Sequence, residues 1–313
     1  MRIIVTGGCG YKGSYLIPDL LDDGHEILSI DTNWFGDHLE DNRNLRKVEA
    51  DIRNIDALSF EGFDSIIHLA NIANDPAVDL NPTLSWEVNV LASHKIADKA
   101  MREGVSQILY ASSGSVYGIK SEANVTEDLT LVPISTYNKT KMCAERIFLS
   151  YKDKIDIKCI RPATVCGFSP RMRLDVSVNL LTFQALKFKK INVFGGNQTR
   201  PNIHIKDISN VYKHFLNNKS IESGCYNAGF ENISILDIAK KVQEKVDCEI
   251  VISDSNDPRS YRQDSTKLLK TGFIPQYDVS NAIDEIIQKY KKRELIERDS
   301  CYTVKWMKSL NIN

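Results

Sequence analysis

A chain of 313 residues, 42% hydrophobic and 26% charged, is long enough for one large α/β domain plus a smaller one. A formal net charge of −1 offers nothing to nucleic acid or an anionic membrane surface, and no apolar run nears the ~20 residues that span a bilayer. The seven cysteines lack any Cys-x-x-Cys or metal-ligand spacing, and the six histidines lack a His-Glu-x-x-His pattern. Met1-Arg2 leads directly into Ile3-Ile4-Val5, with no signal-peptide pattern. The expectation is a cytoplasmic protein with reduced thiols and no metal.

Residues 2–6 form a short apolar run that stops at glycine, as a strand buried on both faces of a parallel sheet does. Gly7, Gly10 and Gly13 follow as Gly-x-x-Gly-x-x-Gly, and Tyr15, Leu16, Leu20 and Leu21 then repeat at helical spacing. Strand, glycines and helix in this order predict a dinucleotide site, with the backbone close to a pyrophosphate at the helix N-terminus. Lys12 stands where an apolar residue is expected; it reads as a solvated lysine or as a phosphate contact.

The next strand, 26–30, ends in Asp31, about twenty residues past the glycines, where a carboxylate accepts from ribose hydroxyls. It would repel a 2′-phosphate, which favours NAD over NADP. Asp51-Ile52 follows a strand around 45–49 and is placed to face the adenine. The fourth strand, 65–70, carries His68, read as a strand-end histidine satisfied by backbone, and brings Leu69, Ala70 and Asn71 to the carboxyl edge where open sheets bind ligands. A long helix is expected over 83–103, with Asn89 inside it in a structural hydrogen-bonding role. The fifth strand, 107–111, delivers Ser112-Ser113-Gly114-Ser115 to the same edge. Tyr137 and Lys141, four residues apart where helix is expected, share a face. A cation there would bring the phenol towards neutrality, fitting it to take a proton while hydride leaves the same carbon.

These motifs together resemble the extended short-chain dehydrogenases/reductases, and within them the NAD-dependent epimerase/dehydratase enzymes of UDP-glucose 4-epimerase type, over residues 1 to about 290. The resemblance implies an α/β fold: a Rossmann doubly wound parallel sheet with a smaller mixed α/β substrate-binding domain. Residues 1–165, with a returning segment at about 200–230, would form the NAD-binding part; 166–199 and 231–290 would bind substrate; 291–313 would be a tail packed on the body or on a partner subunit. Tyr137 would be the acid/base, Lys141 would hold the nicotinamide ribose, and Ser113 would bind the reacting oxygen. The cofactor would be NAD, held by Gly7, Gly10, Tyr11, Lys12, Gly13, Asp31, Asp51, Ile52, Leu69, Ala70, Asn71, Asn89, Ser112, Tyr137, Lys141, Pro162 and Thr164. A nucleotide-sugar substrate would meet Ser113, Ser115, Tyr137 and Thr164 at the sugar. Asn179, Arg200 and Arg259 would bind its diphosphate, and Val193 and Phe194 its base.

Arginine suits phosphate oxygens, although a lone arginine also reads as a surface ion pair. Arg171 and Arg173 form a further basic cluster on a loop expected near the site. Gly114 and Ser115 stand where family dehydratases carry an Asp-Glu pair, which weakens the 4,6-dehydratase reading. A 4-epimerase leads, followed by a C4 dehydrogenase or reductase. A silent NAD-binding regulator is the poorest reading, because Tyr137, Lys141 and Ser113 are all present. A homodimer pairing the helices near 83–103 and 137–150 is also expected.

Overall fold

The computed structural model describes residues 1–254 and 260–311. In chain order these form β1 (Arg2–Thr6), α1 (Gly13–Asp22), β2 (Glu26–Asp31), β3 (Leu45–Glu49), β4 (Ser65–His68), α2 (Asp75–Val78), α3 (Pro82–Trp86), α4 (Ala92–Arg102), β5 (Gln107–Ala111), α5 (Thr136–Leu149) and β6 (Asp156–Pro162). There follow β7 (Thr164–Cys166), α6 (Ser177–Phe188), β8 (Lys190–Phe194), β9 (Thr199–His204), α7 (Ile205–Asn217), β10 (Gly224–Ala228), β11 (Glu231–Ser234), α8 (Ile235–Gln243), β12 (Glu249–Ser253), α9 (Thr266–Leu269), α10 (Val279–Lys291) and α11 (Thr303–Ser309).

The apolar runs become strands buried on both faces: every residue of β4 and β5 is buried, as are Ile3 to Thr6 of β1. They pair in parallel in a seven-stranded sheet of order β10-β6-β5-β4-β1-β2-β3. The order reverses between β1 and β4, which opens a crevice at the strands' carboxyl ends. One apolar core (Ile3, Leu16, Leu20, Phe215) fills one face, and a second (Ile4, Ile66, Ile96, Phe148) fills the other. The expected α/β Rossmann fold is the one found.

A second layer is made by the small sheet β11-β9-β7 and the pair β12-β8, packed on α6, α8 and α10. The returning segment divides: β9 belongs to the small sheet, whereas α7 and β10 complete the large one. Ser209 Oγ on α7 donates to Asp19 Oδ2 on α1 (2.9 Å), fastening that helix over β1. The helix expected over 83–103 begins one residue earlier, at Pro82, after Asn81 accepts from Leu84 N (2.9 Å). It also widens to a π-helical turn at Glu87–Leu91, centred on Asn89.

Candidate active site

Above the β1/β4 switch point lies a cavity of about 690 Å³. Its floor is the glycine-rich turn. Gly7 has φ +75°, and a Cβ on it would come within 2.5 Å of the Ala70 nitrogen; one on Gly13 would lie 2.4 Å from the Gly7 oxygen. A Cβ on Gly10 would meet only the Gly7 oxygen at 3.2 Å, so that glycine opens onto free space. The turn is thus tight where helix meets strand and bare where a phosphate would approach. Asp31 accepts from Cys9 N and Asn33 N (both 2.9 Å) and lines the cavity; burial raises its pKa against those bonds. Asp51 caps the turn that follows it by accepting from Arg53 N (2.8 Å) and also holds the Arg53 guanidinium, with Ile52 beside it on the cavity wall.

Tyr137 enters the cavity from the first turn of α5, which Ser135 caps by accepting from Asn138 N (3.1 Å). Ser113 and Ser115 lie beside it on the cavity wall, their hydroxyls 2.8 Å apart. Burial pushes Tyr137 up to about 12, although the nearby Ser113 hydroxyl pulls it down. The tyrosine is therefore shifted away from neutrality, opposite to the expectation. The reason is where the cation sits. Lys141 is buried beneath the cavity wall, donates from Nζ to Ala111 O (2.6 Å), and lies 5.9 Å from the Tyr137 ring centre. With the Asn71 amide oriented to satisfy both its ends, its oxygen also accepts from Lys141 Nζ at 3.1 Å. Burial, with Lys12 adding to it, lowers the Lys141 pKa well below its ordinary value. The desolvation of the phenolate outweighs so distant and weakened a cation.

Leu69, Ala70, Asn71, Ser112, Pro162, Thr164, Tyr11, Lys12 and Arg200 join the same cavity wall. The Ser112 hydroxyl itself is turned to Glu145 (2.5 Å), and the Tyr11 phenol donates to Gly167 O (2.7 Å). Other expected residues point elsewhere. Asn89 is fully buried, with Oδ1 accepting from Ile72 N (2.9 Å) and Nδ2 donating to Thr140 Oγ1 (3.1 Å), so it ties helices together instead of facing the cofactor. Asn179 is saturated inside the protein by Gly167 N (3.0 Å), Tyr11 Oη (3.0 Å) and Arg173 O (2.9 Å), which leaves its amide nothing for a diphosphate. Val193 is buried among Ile238 and Val242, Phe194 is exposed, and neither lines the cavity; the β8–β12 pairing holds them away from it. Arg259 lies outside the described residues. His68 is satisfied by side chains, not backbone, through Thr6 Oγ1 (2.6 Å) and Ser93 Oγ (3.2 Å).

Arg171 and Arg173, the basic cluster expected near the site, do line the cavity. Arg173 is held in its charged form by Asp175 (2.8 Å) despite burial, and helps burial pull Lys12 down to about 8. Trp34, Phe35, Tyr261 and, from the C-terminal end, Thr303, Val304, Lys305 and Met307 complete the walls.

The model of the NAD dependent epimerase/dehydratase family matches residues 3–229, and the chain belongs to that family. It is an enzyme, and NAD is its cofactor. It is 27% identical over 320 residues to UDP-glucose 4-epimerase of Lactobacillus helveticus, covering 92% of this chain and 95% of that one. It is 27% identical over 312 residues to UDP-glucuronic acid decarboxylase 1 of Danio rerio, covering 94% of this chain and 73% of that protein. Among solved structures it is similar to the UDP-glucuronic acid 4-epimerase of Bacillus cereus bound to UDP-glucuronic acid and NAD, with TM-score 0.80, 25% identity, and coverage of 94% of this chain and 100% of the other. The bare glycine turn and Asp31 fit this cofactor's pyrophosphate and ribose. No helix among the described residues is long and apolar enough to cross a membrane.

Proposed function

We propose that this chain is a nucleotide-sugar 4-epimerase that works as a homodimer. The observation that carries the reading is that Tyr137 and Ser113 line one wall of the cavity that also holds the glycine-rich turn and Arg200. When bound against the glycine-rich turn and Asp31, NAD would supply the acceptor for the C4 hydride. Tyr137 takes the proton of the C4 hydroxyl, Ser113 holds the same oxygen, and the proton goes back once the 4-keto sugar has turned over. Lys141, anchored on Ala111 O, would position the ribose, and Arg200 would hold the diphosphate. Elimination of water would need a further acid and base next to Ser113. Gly114 instead faces inwards, where a Cβ would meet the Gln263 side chain at 3.1 Å, and Ser115 is bonded to Ser113. This supports epimerisation over 4,6-dehydration.

A second reading shares the first half-reaction and stops at oxidation. In either reading Arg173, which acts on Tyr137, and Lys12 beside it add positive charge to the wall and suit a sugar that is itself acidic. Incubation with UDP-, GDP-, CDP- and dTDP-hexoses and with UDP-hexuronates, followed by mass and proton NMR, tests both. An unchanged mass with inverted C4 is the expected result. Reduced cofactor with loss of two hydrogens would replace it by a dehydrogenase, and loss of water would refute the argument from Gly114 and Ser115.

A further inference from the structure

The last residues carry no recognisable motif, yet they build one wall of the cofactor cavity. After α10 the chain passes through a turn at Asp299–Cys301 and then α11, which lies over the crevice. Met307 is 2% exposed and sits in the same apolar core as Ile52 and Ala77. Thr303, Val304 and Lys305 face the space that Asp31 and Ile52 also line. The segment is fastened on both sides. On one, Trp306 Nε1 donates to Trp34 O (2.5 Å), three residues past the end of β2. On the other, Leu174 N donates to Cys301 O (2.9 Å), Thr303 N to Asp175 Oδ2 (2.9 Å), and Arg171 Nη2 to Thr303 Oγ1 (3.3 Å). Arg171 also lies 4.1 Å above the Phe35 ring, which joins the two fastenings.

Asp31 and Ile52 mark the adenosine half of a dinucleotide site, because β2 and β3 end there. We propose that residues 299–309 are a clamp that forms a direct wall of the adenosine pocket and must detach before NAD can leave. Aliphatic Val304 and Met307 suit the face of a purine. The clamp explains how the cofactor stays through successive turnovers in a protein whose Rossmann crevice would otherwise be open at this end. It also links NAD retention to Arg171, Arg173 and Asp175, which line the same cavity.

The test is the rate at which bound NAD exchanges for excess etheno-NAD, followed by the fluorescence of the analogue. Trp306 is half-buried, so Trp306→Ala should fold with little loss of thermal stability. We expect it to release NAD about tenfold faster than the parent protein, since a lost hydrogen bond and contact of this size correspond to about one decade. Truncation after Arg298 removes buried Cys301 and Met307 and is therefore paired with Thr303→Val, which removes the hydroxyl that faces Arg171 and Asp175 and keeps the backbone bond to Asp175. Release raised by less than about threefold in both point variants would overturn the clamp, because the fastenings would then carry no share of retention.

Discussion

Tyr137 is a neutral phenol in this structure, held so by burial, and Ser113 shares its cavity wall. Replacing it with Phe should lower turnover by about 10²–10⁴, the range for a lost general acid/base. NAD should still copurify, because the phenol is one contact among many. Loss of NAD together with activity would mean that the hydroxyl holds the cofactor as well as the reacting proton. His68 gives a second residue-scale prediction. Burial, helped by Lys141, lowers its pKa to about 3, while the unfolded chain titrates near the ordinary value. The unfolded state therefore binds the extra proton as pH falls below ~6.5, and stability present above that pH is lost on acidification, at about 1.4 kcal/mol per pH unit. Urea unfolding at pH 7 and pH 5 should show this group's share, about 2 kcal/mol, disappearing in His68→Gln. An equal pH slope in both proteins would show that His68 is not the titrating group.

At the scale of elements, the serine segment is held in place from behind. Glu145 of α5 accepts from Arg161 Nε and Nη2 (both 2.8 Å) and from Ser112 Oγ, while Arg161 Nη1 donates to the Tyr117 phenol (2.7 Å) and that phenol donates to Asn227 (2.8 Å). One buried ion pair thus connects α5, β6, β10 and the loop that carries Ser113. Glu145→Ala should cost about 3–5 kcal/mol of unfolding free energy, because it leaves the Arg161 charge buried without its carboxylate. Chemical denaturation measures this, and a cost under ~1 kcal/mol would mean that water reaches Arg161. The π turn at Asn89 belongs to the same scale. A side chain with two bonds to a neighbouring loop and one to α5 imposes a local widening that periodicity does not reveal.

For the whole molecule, the outer faces of α3 and of the π turn expose Trp86 and, at 59%, Leu91. Large exposed side chains on a helix that packs on α5 are what a two-subunit helical bundle would cover. In sedimentation velocity the parent protein should run as a dimer and Leu91→Asp as a monomer. A parent monomer at micromolar concentration would remove the dimer from the proposal.

The site was legible in the sequence where neighbours in space are also neighbours in the chain. Gly7, Gly10 and Gly13 must bend one short turn, Asp31 closes the next strand, and Ser113, Tyr137 and Lys141 leave adjacent elements at one sheet edge. Tertiary packing decided the rest. It turned the Asn179 amide inwards onto Tyr11, kept Val193 and Phe194 on a separate strand pair, and buried Lys141 far enough from the phenol to reverse the expected pKa shift. It also brought Arg173 beside Lys12 and carried Thr303 back over Asp31 from the far end of the chain. Local chemistry is written in residue order, because a turn or a helical face needs only a few consecutive positions. Burial, field and enclosure depend on which distant segments meet, and the fold alone sets those.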